Sequence, residues 1–438
     1  MTPDAPSAGP KATLSVLDGV AMMVGIIVGV GIFKTPALVA AQASSEAAVI
    51  GLWLIGGAVT LAGALVYAEL GAAYPSTGGE YHYLDRALDR SVAILFAWAR
   101  VTVIQTGAIA AVAFVFGDYA GQLLSLGPFS QAIYAALAIL VFTAINLAGA
   151  SPGTRAQHLF TGATVLTIAV VVAISLASAG SATAGTSPPA ATGGGWGLAM
   201  IFILLTYGGW NEAAYLSAEL KDARRAMVRV LVFSIAAVAA IYLLFNIAVL
   251  HVLGLEGLRA SAALGTDLMR RTTGDAGAWL VGIVVCCAAL STLNGTIFTG
   301  VRVYHAVGRD VPALRRFGIW DPHGQKPTMA LLTQGAIAMA LVAFGAVSRD
   351  GFQAIVEYTA PVFWFFLFLV GVSLFRLRRL EPERERPFRV PLYPLTPAFF
   401  CATCAYLLYS SVAYTGLGAL LGVIVLVAGI PLLLLRRA

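Results

Sequence analysis

The chain has 438 residues, of which 59% are hydrophobic and only 11% are Asp, Glu, Lys or Arg, against roughly 25% charged in a soluble domain. With a mean hydropathy of +0.86, that is too little charge to cover a water-exposed surface, which excludes a soluble globular enzyme and a disordered chain. The formal net charge of +6 is no nucleic-acid footprint, because the basic residues fall in short connections between apolar runs and not on one face.

Met1 to Pro10 read as a disordered tail of small residues ahead of Lys11 and Asp18. They lack the basic start, apolar region and small-residue cleavage site of a signal peptide. Twelve apolar segments follow, at 14–41, 45–73, 91–118, 127–148, 157–180, 196–219, 227–254, 276–307, 327–347, 352–375, 393–413 and 416–435. Each has the length of about 20 residues that a spanning helix needs. Together they predict an all-α integral membrane protein of twelve transmembrane helices with no soluble domain; a transmembrane β-barrel would show weak ten-residue alternation instead.

The first segment contains Gly25, Gly29 and Gly31 and then Pro36; the sixth contains Gly208-Gly209 followed by Trp210, Asn211 and Glu212. One such glycine pattern alone reads as helix packing. Two, in segments five apart, predict broken helices in two inverted repeats. The repeats are 12–180 and 196–375, joined by the uncharged stretch 181–195; 376–438 adds helices 11 and 12, and 1–11 is the tail. A break at mid-membrane frees backbone groups that hydrocarbon cannot satisfy, so it must line a wet or ligand-filled cavity. Freed N–H groups at a half-helix N-terminus suit a carboxylate and freed carbonyls suit an ammonium, a combination that fits an α-amino acid.

Lys and Arg favour one set of loops roughly fivefold, which predicts cytoplasmic termini. The sparse set holds Arg259, Arg270, Arg271 and Arg349, and the linker 181–195 lies on that outer side. Among polar residues, Glu69 reads as an anchor for the inner end of the second helix, and Glu219 with Lys221 and Arg224 as an inner ion-pair network. Lys34 snorkels outward or draws anionic groups to the vestibule, and Asp118 and Glu357 are solvated at outer ends. The alternating Arg376, Arg378, Arg379, Glu381, Glu383, Arg384 and Glu385 read as a solvated inner loop. Cys286, Cys287, Cys401 and Cys404 read as buried small residues, and the five histidines have no metal-ligand spacing. No Walker A lysine motif is present, so ATP-driven transport has no support.

Val28-Gly29-Val30-Gly31-Ile32-Phe33 with Thr35-Pro36 resembles a signature of the amino acid–polyamine–organocation family, and Tyr67-Ala68-Glu69-Leu70 with Gly78-Gly79-Glu80-Tyr81 resembles its second. Tyr207-Gly208-Gly209-Trp210-Asn211 is similar to the L-type amino acid transporter branch. Leu293-Asn294-Gly295 and Arg386-Pro387-Phe388-Arg389-Val390-Pro391 continue the likeness in order, so that it covers roughly 12–435. The resemblance implies a LeuT-type 5+5 inverted repeat with helices 1 and 6 broken, and it implies amino acid transport at the plasma membrane. Carried over, it puts the substrate carboxylate on the N–H groups of Gly29, Val30 and Gly31, and the amino group on the carbonyls of Ile27, Leu205, Thr206 and Gly208. Asn211 then lines the pocket, with Tyr207 and Trp210 closing it and Glu212 beside them as pocket wall, cation partner or proton carrier.

Three positions depart from the family. Val30 lacks the usual serine hydroxyl, Leu205 replaces a lid phenylalanine, and Thr164 stands where many members carry a lysine. Without that lysine three coupling modes are open: Na+ held by the carbonyls of Gly25 and Val28 with hydroxyls of Thr292, Thr296 or Thr299; H+ carried on Glu212; or uncoupled exchange, with threonine and water filling the site. The expectation is a secondary transporter with an amino acid as substrate, in contact with the lipid bilayer, with no bound cofactor or metal beyond that coupling ion, no nucleic acid and no obligatory protein partner. The alternatives are an amino-acid-binding sensor on the same fold and a polyamine or organocation permease; an enzyme has no visible nucleophile or metal constellation.

Overall fold

The computed structural model describes residues 15–76, 78–148, 154–178, 195–216, 220–310, 316–317, 328–348, 350–414 and 416–433. The tail 1–11, nearly all of the linker 181–195, and Ser217 and Glu219 lie outside the described residues, as do the side chains of Arg224 and Thr299. Among the described residues the chain is helical, with no β-strand, and nine helices are long and apolar enough to cross a membrane. Shorter apolar helices, Gly162–Ala177, Gly195–Thr206 and Leu417–Leu433, occupy the fifth, sixth and twelfth predicted segments.

The first segment is not one helix. It divides into α1 (Val16–Ile27), a 3₁₀ turn (Val30–Phe33) and α2 (Thr35–Ala40). The second is the continuous α3 (Glu46–Ala73), started by the Ser45 hydroxyl accepting from the Ala48 N–H, a cap that satisfies one of the free donors of a helix start. A short helix the hydropathy reading passed over, α4 (Gly79–Ala87), links it to the third span. That span comprises α5 (Arg90–Ala99), a π-helical segment (Arg100–Ile104) and α6 (Gln105–Leu123). It is the most enclosed of the spans: 72% of its apolar window is buried, against 28% for the next helix, α7 (Ser130–Leu147).

The fifth and sixth spans are α8 (Thr154–Ala177) and α9 (Gly195–Thr206); α9 ends at a second break, followed by a 3₁₀ turn (Trp210–Glu212) and α10 (Ala213–Leu216). The seventh, α11 (Ala223–Ala260), kinks at Gly254, whose φ is 65°. A second missed helix, α12 (Leu264–Thr273), precedes α13 (Asp275–Asp310). Both missed helices are short and polar on one side (α12 carries Asp267, Arg270 and Arg271), so an apolar-run search cannot register them. α14 (Thr328–Ala346), α15 (Gly351–Leu380), α16 (Leu395–Tyr414) and α17 (Leu417–Val427) complete the bundle. The core lies where α3 meets α11 and where α6 meets α13 and α15. Exposed leucine, isoleucine and valine side chains on α7 and α17, such as Leu140 and Ile424, face outward as bilayer contact requires.

Candidate functional site

The two breaks lie against one another. A Cβ on Gly31 would sit 3.3 Å from Thr206 Cγ2 and 3.5 Å from its Oγ1. Gly209 has φ +100°, and a Cβ there would lie 2.9 Å from Ile26 Cγ2. Gly209 therefore has to be glycine both for its left-handed backbone and for its close approach to α1. The sequence supplies small residues where the first break crosses the second and where the second crosses the first.

Tyr242 of α11 joins the same two strands of backbone. Its hydroxyl is 2.8 Å from the Ile27 carbonyl and 3.1 Å from the Thr206 carbonyl, so one proton serves both. Thr206 donates to the Phe202 carbonyl (2.8 Å) and accepts from Thr35 (2.6 Å). Tyr242, Tyr207 and Trp53 pack together, tilted or edge-on, with ring centroids 5.1–5.8 Å apart. Phe33 packs on Tyr119 and Phe245, and the Tyr119 hydroxyl donates to the Phe33 carbonyl while accepting from the Gly265 N–H.

The backbone groups singled out in the sequence divide into two sets. The Gly29 N–H turns back onto the Ile27 carbonyl at 2.7 Å, and the Gly208 N–H onto the Leu205 carbonyl at 3.0 Å. Val30 and Gly31 instead open a new helical turn, whose first N–H groups have no carbonyl a turn earlier to bond. Val30 is buried. Tyr207 donates to the Trp53 carbonyl at 3.3 Å, and Trp210 packs edge-on against Tyr67 and Phe400, inside the bundle. Asn211 is 5% exposed and donates to Glu80 at 3.1 Å, so it meets a carboxylate where a wet pocket wall was expected.

Glu212 is half-exposed and paired with Arg100, a residue the sequence reading missed. Arg100 also donates to Glu80 Oε2 at 3.1 Å, and the Tyr67 hydroxyl donates to Glu80 Oε1 at 2.6 Å. The available signal was a lone arginine inside the third apolar segment. An intramembrane charge is functional or paired by default, and the loop count of basic residues passed over it.

Lys34 corrects a second expectation. It does not snorkel: it is 7% exposed, with its Nζ 3.0 Å from Asp118 and 2.8 Å from Asp350. Asp118, expected to be solvated, is largely enclosed, its side chain 13% exposed, and accepts from Gln131 at 2.6 Å. The reason is local: α2 begins directly after Lys34, and the Val30–Phe33 turn just before it packs against α6 and α13, so the lysine leads into the bundle. Arg259 ties the other end of α2 by donating to the carbonyls of Ala40 (3.0 Å) and Ala43 (2.7 Å). Glu357 is half-buried and accepts from Gln353 at 2.8 Å.

At the opposite, arginine-rich end, Glu69 is 1% exposed and holds Arg378 through two bonds of 2.7 and 2.6 Å, as well as the Val390 N–H. Two bonds from one guanidinium to one carboxylate are among the strong ion pairs. Arg384 donates to the Ala73 carbonyl, and Arg86 to Glu381 at 2.6 Å. The 376–385 stretch, expected to be solvated, is thus partly pinned to α3 and α4. Arg86 holds the Glu381 carboxyl below its ordinary value by a direct hydrogen bond, against a smaller opposing effect of burial.

The proposed cation ligands are only partly gathered. Thr164 is buried on α8, which packs against α1 and α13. The Val30–Phe33 turn also meets α13, the helix of Thr292 and Thr296. The Thr296 hydroxyl donates to the Thr292 carbonyl at 2.8 Å, and the Thr296 carbonyl accepts from Gln105 at 2.9 Å, so both Thr296 oxygens already have protein partners. Val28 uses its N–H on the Val24 carbonyl, and Gly25 lies in α1.

Residues 14–430 match the model of a family described as "Amino acid permease". The chain is 26% identical over 430 residues to the serine/threonine exchanger SteT of Bacillus subtilis (strain 168), covering 97% of this chain and 96% of that protein. It is 28% identical over 400 residues to the b(0,+)-type amino acid transporter 1 of Homo sapiens, covering 88% and 81%. It is 26% identical over 439 residues to the human Asc-type amino acid transporter 1, covering 97% and 82%. The chain belongs to the amino acid permease family and is a membrane transporter, not an enzyme.

Proposed function

We propose that this amino acid permease exchanges α-amino acids across the plasma membrane by alternating access. The crossing of the two breaks, with Gly31 against Thr206 and Gly209 against Ile26, is the observation that carries the reading. In it the substrate carboxylate meets the first N–H groups of the Val30–Phe33 turn, where a helix start favours negative charge. The ammonium meets the carbonyls of Ile27 and Thr206, which the Tyr242 hydroxyl bridges in the structure. The architecture we assign is the LeuT type: 12–180 and 196–375 as inverted repeats with helices 11 and 12 appended, and the arginine-rich end and both termini cytoplasmic. The excess of basic residues at that end supports the orientation.

Exchange is the coupling mode the site favours. Glu212, the proton-carrier candidate, is held by Arg100. The exchange named for the bacterial relative supports the same reading. The test uses reconstituted vesicles, with uptake of labelled amino acids measured with and without unlabelled substrate inside. Exchange requires stimulation by internal substrate and indifference to replacing sodium with choline or imposing a pH gradient. A response to either ion identifies it as the coupling ion, and saturable binding without flux identifies a sensor. A panel of twenty amino acids plus polyamines in the same assay defines the substrate.

A further inference from the structure

Substrate contact does not explain Arg100. The π-helical segment it opens is fixed to the bundle by side chains from two other spans: the Tyr304 hydroxyl of α13 donates to the Val101 carbonyl and the Tyr358 hydroxyl of α15 to the Thr102 carbonyl, each at 3.0 Å. A π turn leaves backbone carbonyls out of the regular ladder and often marks a functional position; here tyrosines take them up. On its other side Arg100 reaches Glu212, which lies three residues beyond the left-handed Gly209, on the short arm 210–216.

We propose that Arg100 is a positioning residue for transport, which latches the inner arm of the sixth span to the third span through Glu212 and so closes the cytoplasmic side of the substrate site. The proposal rests on the alternating-access reading. Burial within the trio identifies the bond that opens. The side chains of Arg100 and Glu80 are 6% and 3% exposed, whereas Glu212 is 32% exposed. Glu80 is held in addition by Tyr67 of α3; Asn211, which also bonds it, rides on the arm and leaves with Glu212. When the arm swings at Gly208-Gly209, Glu212 leaves toward water and the Arg100–Glu80 pair stays behind as a neutral unit. The latch can therefore open without stranding a buried charge.

The test compares Glu212→Gln, Glu212→Asp and Arg100→Lys with the wild type in vesicles, and adds a readout of arm position. That readout is the rate at which a water-soluble maleimide modifies Ala213→Cys, introduced after the four native cysteines are replaced. Ala213 is fully buried while the latch is closed. Glu212→Gln should raise the Ala213→Cys labelling rate about fivefold or more. It should also raise the external KM about tenfold with a smaller change in maximal rate, because less of the protein waits in the outward-competent state. Glu212→Asp should restore most of both, and Arg100→Lys should fall between. Unchanged labelling and an unchanged external KM in Glu212→Gln would overturn the latch. Wild-type vesicles without amino acid flux would overturn the transport reading alone, since labelling still reports whether the latch exists.

Discussion

The Lys34 clasp and the Arg100 clasp are built alike and break differently. Each sets one cation between two carboxylates, each draws a member from the third span, and each holds an arm of a broken helix. In the Lys34 clasp the cation sits on the arm, because Lys34 leads into α2, and both carboxylates, Asp118 and Asp350, belong to the surrounding spans. In the Arg100 clasp the cation belongs to the surrounding bundle and one carboxylate, Glu212, sits on the arm. Withdrawing Lys34 leaves two carboxylates, 13% and 27% exposed, together without their cation; withdrawing Glu212 leaves a neutral pair. Uncompensated buried charge is the costly outcome. The difference teaches that the Lys34 arm is the harder of the two to release.

The largest effect expected lies where the two arms meet. Gly31→Leu should abolish transport, more than a hundredfold down in vesicles, while size-exclusion behaviour and yield stay near wild type, because the added bulk fills the space against Thr206 and the carboxylate's place. Uptake within twofold of wild type would remove the site from this crossing.

The asymmetry of the clasps comes next. Lys34→Gln should cost about 3–5 kcal/mol, the scale for breaking a buried pair, while Glu212→Gln should cost about 1–2 kcal/mol. Thermal unfolding in detergent orders the two. Adding Asp118→Asn to Lys34→Gln should recover much of the loss by removing one stranded charge. Equal losses from Lys34→Gln and Glu212→Gln would erase the contrast.

Tyr242→Phe removes the hydroxyl that spans the Ile27 and Thr206 carbonyls. One neutral hydrogen bond is worth about 0.5–1.5 kcal/mol. The expected result is therefore a change of up to about tenfold in KM, measured separately from each side of the vesicle, with a loss of stability of similar size, about 0.5–1.5 kcal/mol.

The smallest effect lies outside both clasps, at Arg86 and Glu381. The folded-state pKa of Glu381 is lowered, so its contribution to stability is present above the ordinary value of 4.5 and is lost as pH falls through the folded value below that. Because the pair is partly exposed, Arg86→Gln should lower stability by about 0.5 kcal/mol at neutral pH. The two proteins should converge in acid.

The breaks were legible in the sequence because their causes are local: glycines that admit close approach and a proline that starts α2. Membrane spans were legible because hydrocarbon imposes a length. The clasps were not, because each is assembled from segments far apart in the chain, Lys34 with Asp350 and Arg100 with Glu212. No local pattern tells a snorkelling lysine from one aimed at two carboxylates. Arg100 was visible as an isolated charge in an apolar run, yet its partners were not. The helices α4 and α12 escaped because their amphipathic faces are too short to register as spans.

In the proposed function the crossing breaks hold both ends of an α-amino acid. Competition in the exchange assay tests it most directly, using the best substrate, its N-acetyl derivative and its methyl ester. The account predicts that the free amino acid competes and that each derivative loses about a hundredfold or more in apparent affinity, since one removes the ammonium and the other the carboxylate, each partnered by backbone groups that would be left unmet. Competition by either derivative within a few-fold of the parent amino acid would contradict it.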